Sequence, residues 1–326
     1  MYYLQKTILY TIKQMTKYNY SLIIPHHNIP LLLKRCLNSI PNREDLQTIV
    51  VDDKSDLICI PELKKLEKEF PHVLFYYSNE SGGAGKARNI GINLAKGKYI
   101  LFADADDFFN YCLDEVLSQY INTNYDIIYF NANSVDTNTY KTTWRSLHLN
   151  KMIKEYKTHP KNAIFKLKYV FGEPWCKLVK KELIINHHIK FDETNIHNDT
   201  KYSYLIGYYG KTIHVNERAI YCVTERIGSV SKRISNDRLL TRTQIFSSAN
   251  AFFKKNNINR FDERSIRPLL HFLLHQEFQK SQECYSILRT SGMSQIDILL
   301  KILSYPFLLF PKIIFKVKKI FLEKLS

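Results

Sequence analysis

Tyr99-Ile100-Leu101-Phe102-Ala103-Asp104-Ala105-Asp106-Asp107 is an apolar run that ends in three carboxylates. The run reads as a buried strand of a sheet interior. Charge is poorly tolerated there, because carboxylates packed together repel and raise one another's pKa. A divalent cation such as Mg²⁺ or Mn²⁺ relieves that strain, since a hard metal prefers oxygen ligands and keeps positions open for phosphate. An isolated Asp-x-Asp is more often an Asp-rich turn that caps the next helix. Here the segments upstream reverse that balance.

Strand and helix signals alternate through the first 130 residues, the mark of a parallel α/β sheet. Tyr20 to Ile24 reads as the first strand, closed by Pro25. Asn28 is placed to cap a helix with Leu33, Leu37 and Ile40 on its apolar stripe. Thr48 to Val51 is the second strand and runs into Asp52-Asp53. Pro61 suits the first turn of a helix that buries Leu63, Leu66 and Phe70, and Val73 to Tyr77 follows as a strand. Gly82-Gly83-Ala84-Gly85 leads into a helix with Ala87, Ile90, Gly91 and Leu94 on one side and Gly97 at its C′ position. After the carboxylate strand come a periodic helix (Leu113, Val116, Leu117, Tyr120, Ile121) and a strand from Tyr125 to Phe130. Beyond about residue 135 the pattern is less regular until helical spacing resumes from Asp237 to Leu288, with Leu239, Phe246 and Phe253 on one stripe.

The 326 residues suffice for one large domain or a domain plus an appendage. A hydrophobic content of 45% supports a core, and 24% charged with 13% aromatic residues argues against disorder. A net charge of +16 and a pI near 9.4 imply anionic company: phosphorylated substrates, an anionic membrane face or nucleic acid. The basic residues are spread out and heaviest in an apolar tail, which disfavours nucleic acid. Six scattered cysteines without a C-x-x-C pair fit neither a disulfide framework nor a zinc site. No segment reaches the roughly 18 uninterrupted apolar residues of a membrane span, and Met1 to Lys17 lacks the pattern of a signal peptide. Leu4, Ile8, Ile12 and Met15 make a short amphipathic helix at most, and Met15 is an alternative start. The expected location is cytoplasmic.

In an open parallel sheet, ligands bind at the carboxyl ends of the strands. Four polar clusters fall there: Pro25-His26-His27-Asn28, Asp52-Asp53-Lys54-Ser55, the glycine loop, and Asp104-Ala105-Asp106-Asp107. Together they suit a nucleotide diphosphate with a metal. These motifs resemble those of family 2 of the inverting glycosyltransferases, whose nucleotide-binding half has the GT-A fold. The carriers are Ile23-Ile24-Pro25-His26-His27-Asn28, Val51-Asp52-Asp53-Lys54-Ser55, Gly85-Lys86-Ala87-Arg88-Asn89-Ile90-Gly91 and Phe102-Ala103-Asp104-Ala105-Asp106-Asp107. The match runs through about residue 110 and continues more weakly to about 235.

The resemblance implies an α/β chain with a mostly parallel sheet flanked by helices. It implies a GT-A domain (20–235; nucleotide-binding 20–130, acceptor part 131–235), to which spacing and composition add an N-terminal extension (1–19), a helical extension (236–295) and a basic amphipathic tail (296–326). It also implies roles. Pro25, His27, Asn28, Asp53, Gly85, Arg88 and Asp104 would hold the nucleotide-sugar. Asp53 would accept from the nucleobase, with Asp52 the turn residue beside it. His27 stands where the family usually has Tyr, and reads equally as a loop histidine. Arg88 would reach the nucleotide from a helix start that favours phosphate, while Lys86 reads as a solvated helix face. Asp104 and Asp106 would bind the metal, and Asp107 would support them or cap a helix.

The family's base lies in a Glu-Asp pair after a Phe-Asp-Glu segment. Here Phe191-Asp192-Glu193 is followed by Asn198-Asp199, and Pro174-Trp175-Cys176-Lys177-Leu178 upstream supports the alignment. Asp199 is therefore the expected base, taking the proton from the acceptor hydroxyl; it is also placed to cap the following helix. Asn198 in place of Glu is a departure. Arg226-x-Gly228-Ser229-Val230-Ser231 resembles a segment that closes over the diphosphate, with Arg226 or Lys232 as neutralising cations.

The tail, with six lysines against Asp297 and Glu323 among its phenylalanines, either completes the core or lies on an anionic leaflet. Each lysine near such a surface contributes about 1 kcal/mol, which favours the membrane. The expected protein is thus a metal-dependent (Mn²⁺ or Mg²⁺) transferase. It would move a sugar from a UDP-sugar to a glycan or lipid-linked acceptor of capsule, O-antigen or lipooligosaccharide, at the inner face of the cell membrane. The alternatives are a silent nucleotide-sugar-binding relative and a nucleotidyltransferase.

Overall fold

The computed structural model describes residues 18–226 and 235–304. The chain divides into two compact units, Met1–Arg233 and Ile234–Ser326. The amphipathic helix anticipated before Lys17, the Gly228–Ser231 segment with Lys232, and the tail beyond Ser304 lie outside the described residues.

The strands of the first unit are β1 (Tyr20–His26), β2 (Leu46–Asp52), β3 (Val73–Tyr77), β4 (Tyr99–Phe102), β5 (Phe108–Phe109), β6 (Ile127–Asp136), β7 (Lys177–Lys180) and β8 (Ile213–Glu225). They form one sheet in the order β3-β2-β1-β4-β7-β6-β8-β5. The pairings among β3, β2, β1 and β4 are parallel, as the alternating signals predict. β7 then runs antiparallel to both β4 and β6, β6 and β8 are parallel, and β5 is antiparallel to β8. The sheet is therefore mixed; the strands of its parallel half were legible, and beyond it the first part of β6 was as well.

β1 and β2 are buried along their whole length, as strands covered on both faces are. β1 does not stop at Pro25 but continues through His26. The β4 pairing ends with Ile23 opposite Phe102, so the missing N–H of Pro25 breaks no rung on that side.

The helices of this unit are α1 (Pro30–Asn38), α2 (Ile60–Glu69), α3 (Gly83–Leu94), α4 (Leu113–Ser118), α5 (Leu147–Glu155), α6 (Pro160–Tyr169), α7 (Lys181–Asn186) and α8 (Thr200–Tyr209). Proline occupies the first turn of α1, α2 and α6, where its absent N–H is no loss. Asn28 is not the cap of α1. Ile29 holds that position, and Asn28 takes a left-handed φ of 59°. Gly97 does not form the left-handed end of α3 either. The helix closes on Ala95 in extended conformation, and a Cβ on Gly97 would lie 2.4 Å from the Tyr20 carbonyl carbon. Its role is to let the α3–β4 connection pass against β1.

The second unit contains α9 (Asn236–Lys255), α10 (Arg267–Leu274), α11 (Phe278–Thr290) and a helix over 295–304. Leu239, Leu240, Ile266, Leu269, Phe272, Cys284, Leu288 and Ile298 form its core. The expected stripe of Leu239, Phe246 and Phe253 is buried. All six cysteines are free. No helix among the described residues is long and apolar enough to cross a membrane.

Candidate active site

Parallel pairing brings the carboxyl ends of β1, β2 and β4 to one rim. On that rim the loops after β1 and β2 fasten each other. The Asn28 side chain donates to Asp56 (2.8 Å) and accepts from the Asp56 N–H (2.7 Å). Buried His26 accepts from the Ile29 N–H at Nε2, which leaves Nδ1 to donate to Asp52 Oδ1 at 2.8 Å. Asp52 also accepts from the Ser55 hydroxyl and N–H, so it is the turn residue. Burial alone would push the Asp52 carboxyl up, but the bonds from His26 and Ser55 outweigh it and hold it low. Pro25 is buried inside β1, whereas His27 is exposed.

Asp53 holds the glycine loop. Its carboxylate accepts from the N–H groups of Gly82 and Gly83, both at 2.8 Å, and from the Ser81 hydroxyl at 3.0 Å. These donors open α3, so the acid sits at the positive end of that helix. Lys86, half-buried nearby, pairs with exposed Glu80 at 3.0 Å.

Behind β4 the acidic turn is braced from a distant strand. Tyr221 on β8 accepts from the Asp104 N–H (2.8 Å) and donates to Asp107 (2.9 Å), which also accepts from the Thr224 N–H (2.6 Å). Trp175 stacks on the Tyr221 ring, 5.7 Å between centroids and 18° from parallel. Arg35 of α1 donates to the Asp106 carbonyl. Sequence reasoning missed Tyr221 and Arg35. Asp107 is wholly buried; burial, then the charges of Asp104 and Asp106, push its carboxyl well above the usual range. Burial and Asp104 also raise Asp106, against the pull of Arg226.

Asp104 pairs with Arg88 (2.6 Å) and Asp106 with Arg226 (3.2 Å). Among the described residues no cluster of three or more histidine, cysteine or acidic side chains converges. Two carboxylates that crowd each other fit a small hard cation that takes its remaining ligands from phosphate and water.

Across the rim, the segment before α8 meets α3. Asn89 clasps the Phe191 backbone, accepting from its N–H (2.9 Å) and donating to its carbonyl (3.0 Å). A Cβ on Gly85 would lie 2.0 Å from the Asp192 carbonyl oxygen, so only glycine lets the two segments close. Buried Arg88 extends from Asp104 to the Asn198 side-chain oxygen, 2.9 Å away. Phe191 lies flat against Tyr202, 4.0 Å between centroids, and both rings pack edge-on to Phe102.

Asp199 sits at the cap position of α8, yet its side chain makes no capping hydrogen bond. Burial pushes its carboxyl up to about 6, with Arg88 pulling down and Glu173 adding to the rise. Behind it, Lys177 is fully buried, donating to the Phe171 carbonyl (3.0 Å) and the Ser203 hydroxyl (3.1 Å). Burial draws its ammonium down to about 7 against the nearby charges of Glu173 and Asp199. The structure thus gathers Asp53, Arg88, Asp104, Asp106 and Asp199 into one connected rim, with Gly85 beneath it.

Comparison with known proteins places this rim in context. A profile described as glycosyl transferase family 2 matches residues 21–187, just over half of the 326-residue chain. The minor teichoic acid biosynthesis protein GgaB of Bacillus subtilis (strain 168) is 37% identical over 98 residues, 28% of this chain and 10% of that protein. The chain therefore matches only about a tenth of that relative's length. The crystal structure of S. aureus TarS 1–349 in complex with UDP-GlcNAc superposes with a TM-score of 0.55 at 20% identity, covering 83% of this chain and 91% of that one. The mannosyltransferase PcManGT from Pyrobaculum calidifontis, in complex with GDP-Man and Mn²⁺, gives 0.51 at 15% identity, covering 90% and 80%. At those identities the likeness shows the fold alone, and that fold is GT-A, as the motifs imply. Its strand-end motifs, its sheet and the extent of the profile agree: this chain belongs to glycosyltransferase family 2.

Proposed function

We propose that the chain transfers one sugar from a UDP-sugar to a cell-surface glycan or lipid-linked acceptor, with inversion, and that Asp199 is the base. The observation that carries this reading is Asp199 itself: a carboxyl raised to about 6, untied by any capping bond, beside an arginine that reaches the carboxylate turn. A base whose pKa lies near the working pH is ionised in the resting enzyme and still accepts a proton readily. Asp199 takes the proton of the acceptor hydroxyl as that oxygen attacks the anomeric carbon, and the sugar–phosphate bond breaks on the opposite face.

Donor binding divides among the rim residues. Asp53 has three of about four acceptor positions filled by the glycine loop, which leaves one for an imide N–H of the base. His27 is exposed beside it and offers a ring to the base. Asn28 shapes that loop, and Pro25 and Gly85 offer only backbone. Arg88 and Arg226 face the diphosphate. Asp104 and Asp106 would hold a divalent cation, which would supply positive charge to the leaving group. The UDP-GlcNAc bound by TarS, the Mn²⁺ and GDP-Man of PcManGT and the teichoic acid role named for GgaB support these assignments. The basic tail would hold the protein on the inner membrane face, near lipid-linked acceptors of capsule, O-antigen or lipooligosaccharide type.

The test is a panel of nucleotide-sugars offered to purified protein with Mn²⁺, read as donor hydrolysis and thermal stabilisation. A UDP-sugar should be both bound and slowly hydrolysed, and Asp199→Asn should stop turnover while UDP still binds. Turnover that survives this substitution refutes the assignment of the base.

A further inference from the structure

In the helical unit, the helix over 295–304 is apolar on two sides. Ile298 is buried and Ile302 packs on the core. Ile296, Leu299, Leu300 and Leu303 instead stand between 55 and 69% exposed. Their spacing, at steps of three, four and seven, makes one continuous stripe down the helix. Leu274 of α10 and Phe278 of α11 add further exposed apolar surface to the same unit, at 79 and 72%. An exposed patch of this kind marks a surface that meets something apolar.

What it meets is indicated by the cavities on its two sides. An apolar groove lined by Leu269, Leu273, Tyr285, Ile298, Leu299 and Ile302 runs along one flank of the helix. On the other flank, the turn that places Asp297 and Lys301 together opens a cavity of about 230 Å³. Lys254, Arg260 and Lys301 line it, with Asn250 and Ser291 as neutral hydrogen-bonding groups. Gly292 makes the floor possible: it holds φ at +90°, and a Cβ there would meet nothing. Lys301 is held over the Phe261 ring, 4.4 Å from its centre. Arg260 is anchored at one end by Asp262 (2.7 Å), and its buried Nε has no partner. Among the described residues the one carboxylate on the wall is Asp297, which accepts from the Ser294 hydroxyl and N–H and is committed to the start of the helix. Among the described lining residues, three cations against one acid give the cavity a positive balance.

We propose that this face of the helical unit docks on anionic phospholipid, its leucine stripe among the acyl chains and a lipid phosphate in the Lys254–Arg260–Lys301 cavity. Hydrocarbon and phosphate side by side, in that order across one helix, are the chemistry of a membrane interface. The inference rests on the membrane partner of the proposed function and adds a contact in the folded helical unit to that of the basic tail. It is independent of the donor site.

Full-length protein co-sedimented with vesicles tests it. Vesicles containing phosphatidylglycerol should bind the protein, and pure phosphatidylcholine should bind far less. Lys254→Gln with Lys301→Gln should weaken partition about thirtyfold at low salt, each lysine near an anionic surface being worth about fivefold. Leu300→Gln with Leu303→Gln should weaken it at high salt as well, because that share is not electrostatic. Stabilisation by UDP should be unchanged in both variants, which separates a lost lipid site from a misfolded protein or a failed donor assignment. The proposal is overturned if only Lys318→Gln with Lys319→Gln in the tail abolishes vesicle binding. It is equally overturned if inorganic phosphate stabilises the protein through these lysines while vesicles do not bind. A third refuting result is that the leucine pair alters self-association and leaves vesicle binding intact.

Discussion

Tyr221→Phe removes one oxygen and tests whether the acidic turn is held from β8. In the wild type that hydroxyl accepts the Asp104 N–H and donates to Asp107. Phenylalanine keeps the ring against Trp175 and Phe109, so packing is nearly conserved. The half-buried Asp104 N–H and the buried Asp107 carboxylate each lose a partner, each costing about 1–3 kcal/mol, for a total near 3 kcal/mol after partial relaxation. In a unit of this size about 2–4 °C of melting temperature corresponds to each kcal/mol, so the variant should melt about 6–12 °C lower. The loss has a pH signature. Asp107 titrates above its ordinary value because burial and neighbouring acids disfavour its ionised form. Removing a donor raises it further, so the carboxylate's share is full where Asp107 is ionised and vanishes as pH falls through its folded value. The N–H share does not titrate. Differential scanning calorimetry of both proteins from mildly alkaline to acidic pH separates the two. A variant that melts within about 2 °C of wild type at alkaline pH, or a gap that widens toward acid, refutes the bracing role.

Three other outcomes follow from the same geometry. As the proposed base, Asp199 must be ionised to accept a proton, so initial rates of transfer should hold above its raised value and fall about tenfold per unit below pH 6; an acid limb centred near pH 4 contradicts the raised carboxyl. Gly85→Ala places a methyl 2.0 Å from the Asp192 carbonyl and should destabilise the protein by about 1–3 kcal/mol in urea unfolding, so an unchanged midpoint means that α3 and the 191–198 segment are not in close contact. Lys177 is drawn down to about 7, so its burial penalty is full below that value and disappears as pH rises toward the unfolded value of about 10; Lys177→Met should erase this rise of stability with pH, and identical pH slopes count against it.

The rim was legible where function is written in short, contiguous patterns. An apolar strand followed by acids, or a glycine run followed by helix, carries its own local physics. Asp104 and Asp106 therefore stood out on reading along the chain, while Asp53 and Arg88 were singled out by the family resemblance. Tyr221 was not, because nothing local separates a buried tyrosine that braces a carboxylate from one that fills a core. Its partners lie 114 and 117 residues away, and only the sheet order brings β8 beside the end of β4. Asn28 was misread for a related reason. Its residue type suits both a helix cap and a left-handed turn, and the contact with Asp56 across the neighbouring loop selects the turn. Helices α5 and α6 were hidden because each buries only two or three apolar positions within a largely basic and polar stretch.

Helix α3 shows how far local reading reaches. Gly85, Arg88 and Asn89 fall three and four positions apart, so they share one face of the helix. That much is in the sequence, and it predicts that the face meets something needing close approach, charge and a paired amide. The partner is the 191–198 segment, over a hundred residues on, and it engages all three: the Asp192 carbonyl fills the space over Gly85, Asn198 takes Arg88, and the Phe191 backbone takes Asn89. Arg88 also holds Asp104, so one rigid helix fixes the distance between the carboxylate turn and the start of α8, where Asp199 stands. The carboxylate turn and Asp199, the proposed base, are thus positioned by a single element. A shift of α3 must therefore disturb both together, which is why loosening Gly85 should be felt at Asp199 and not only in stability.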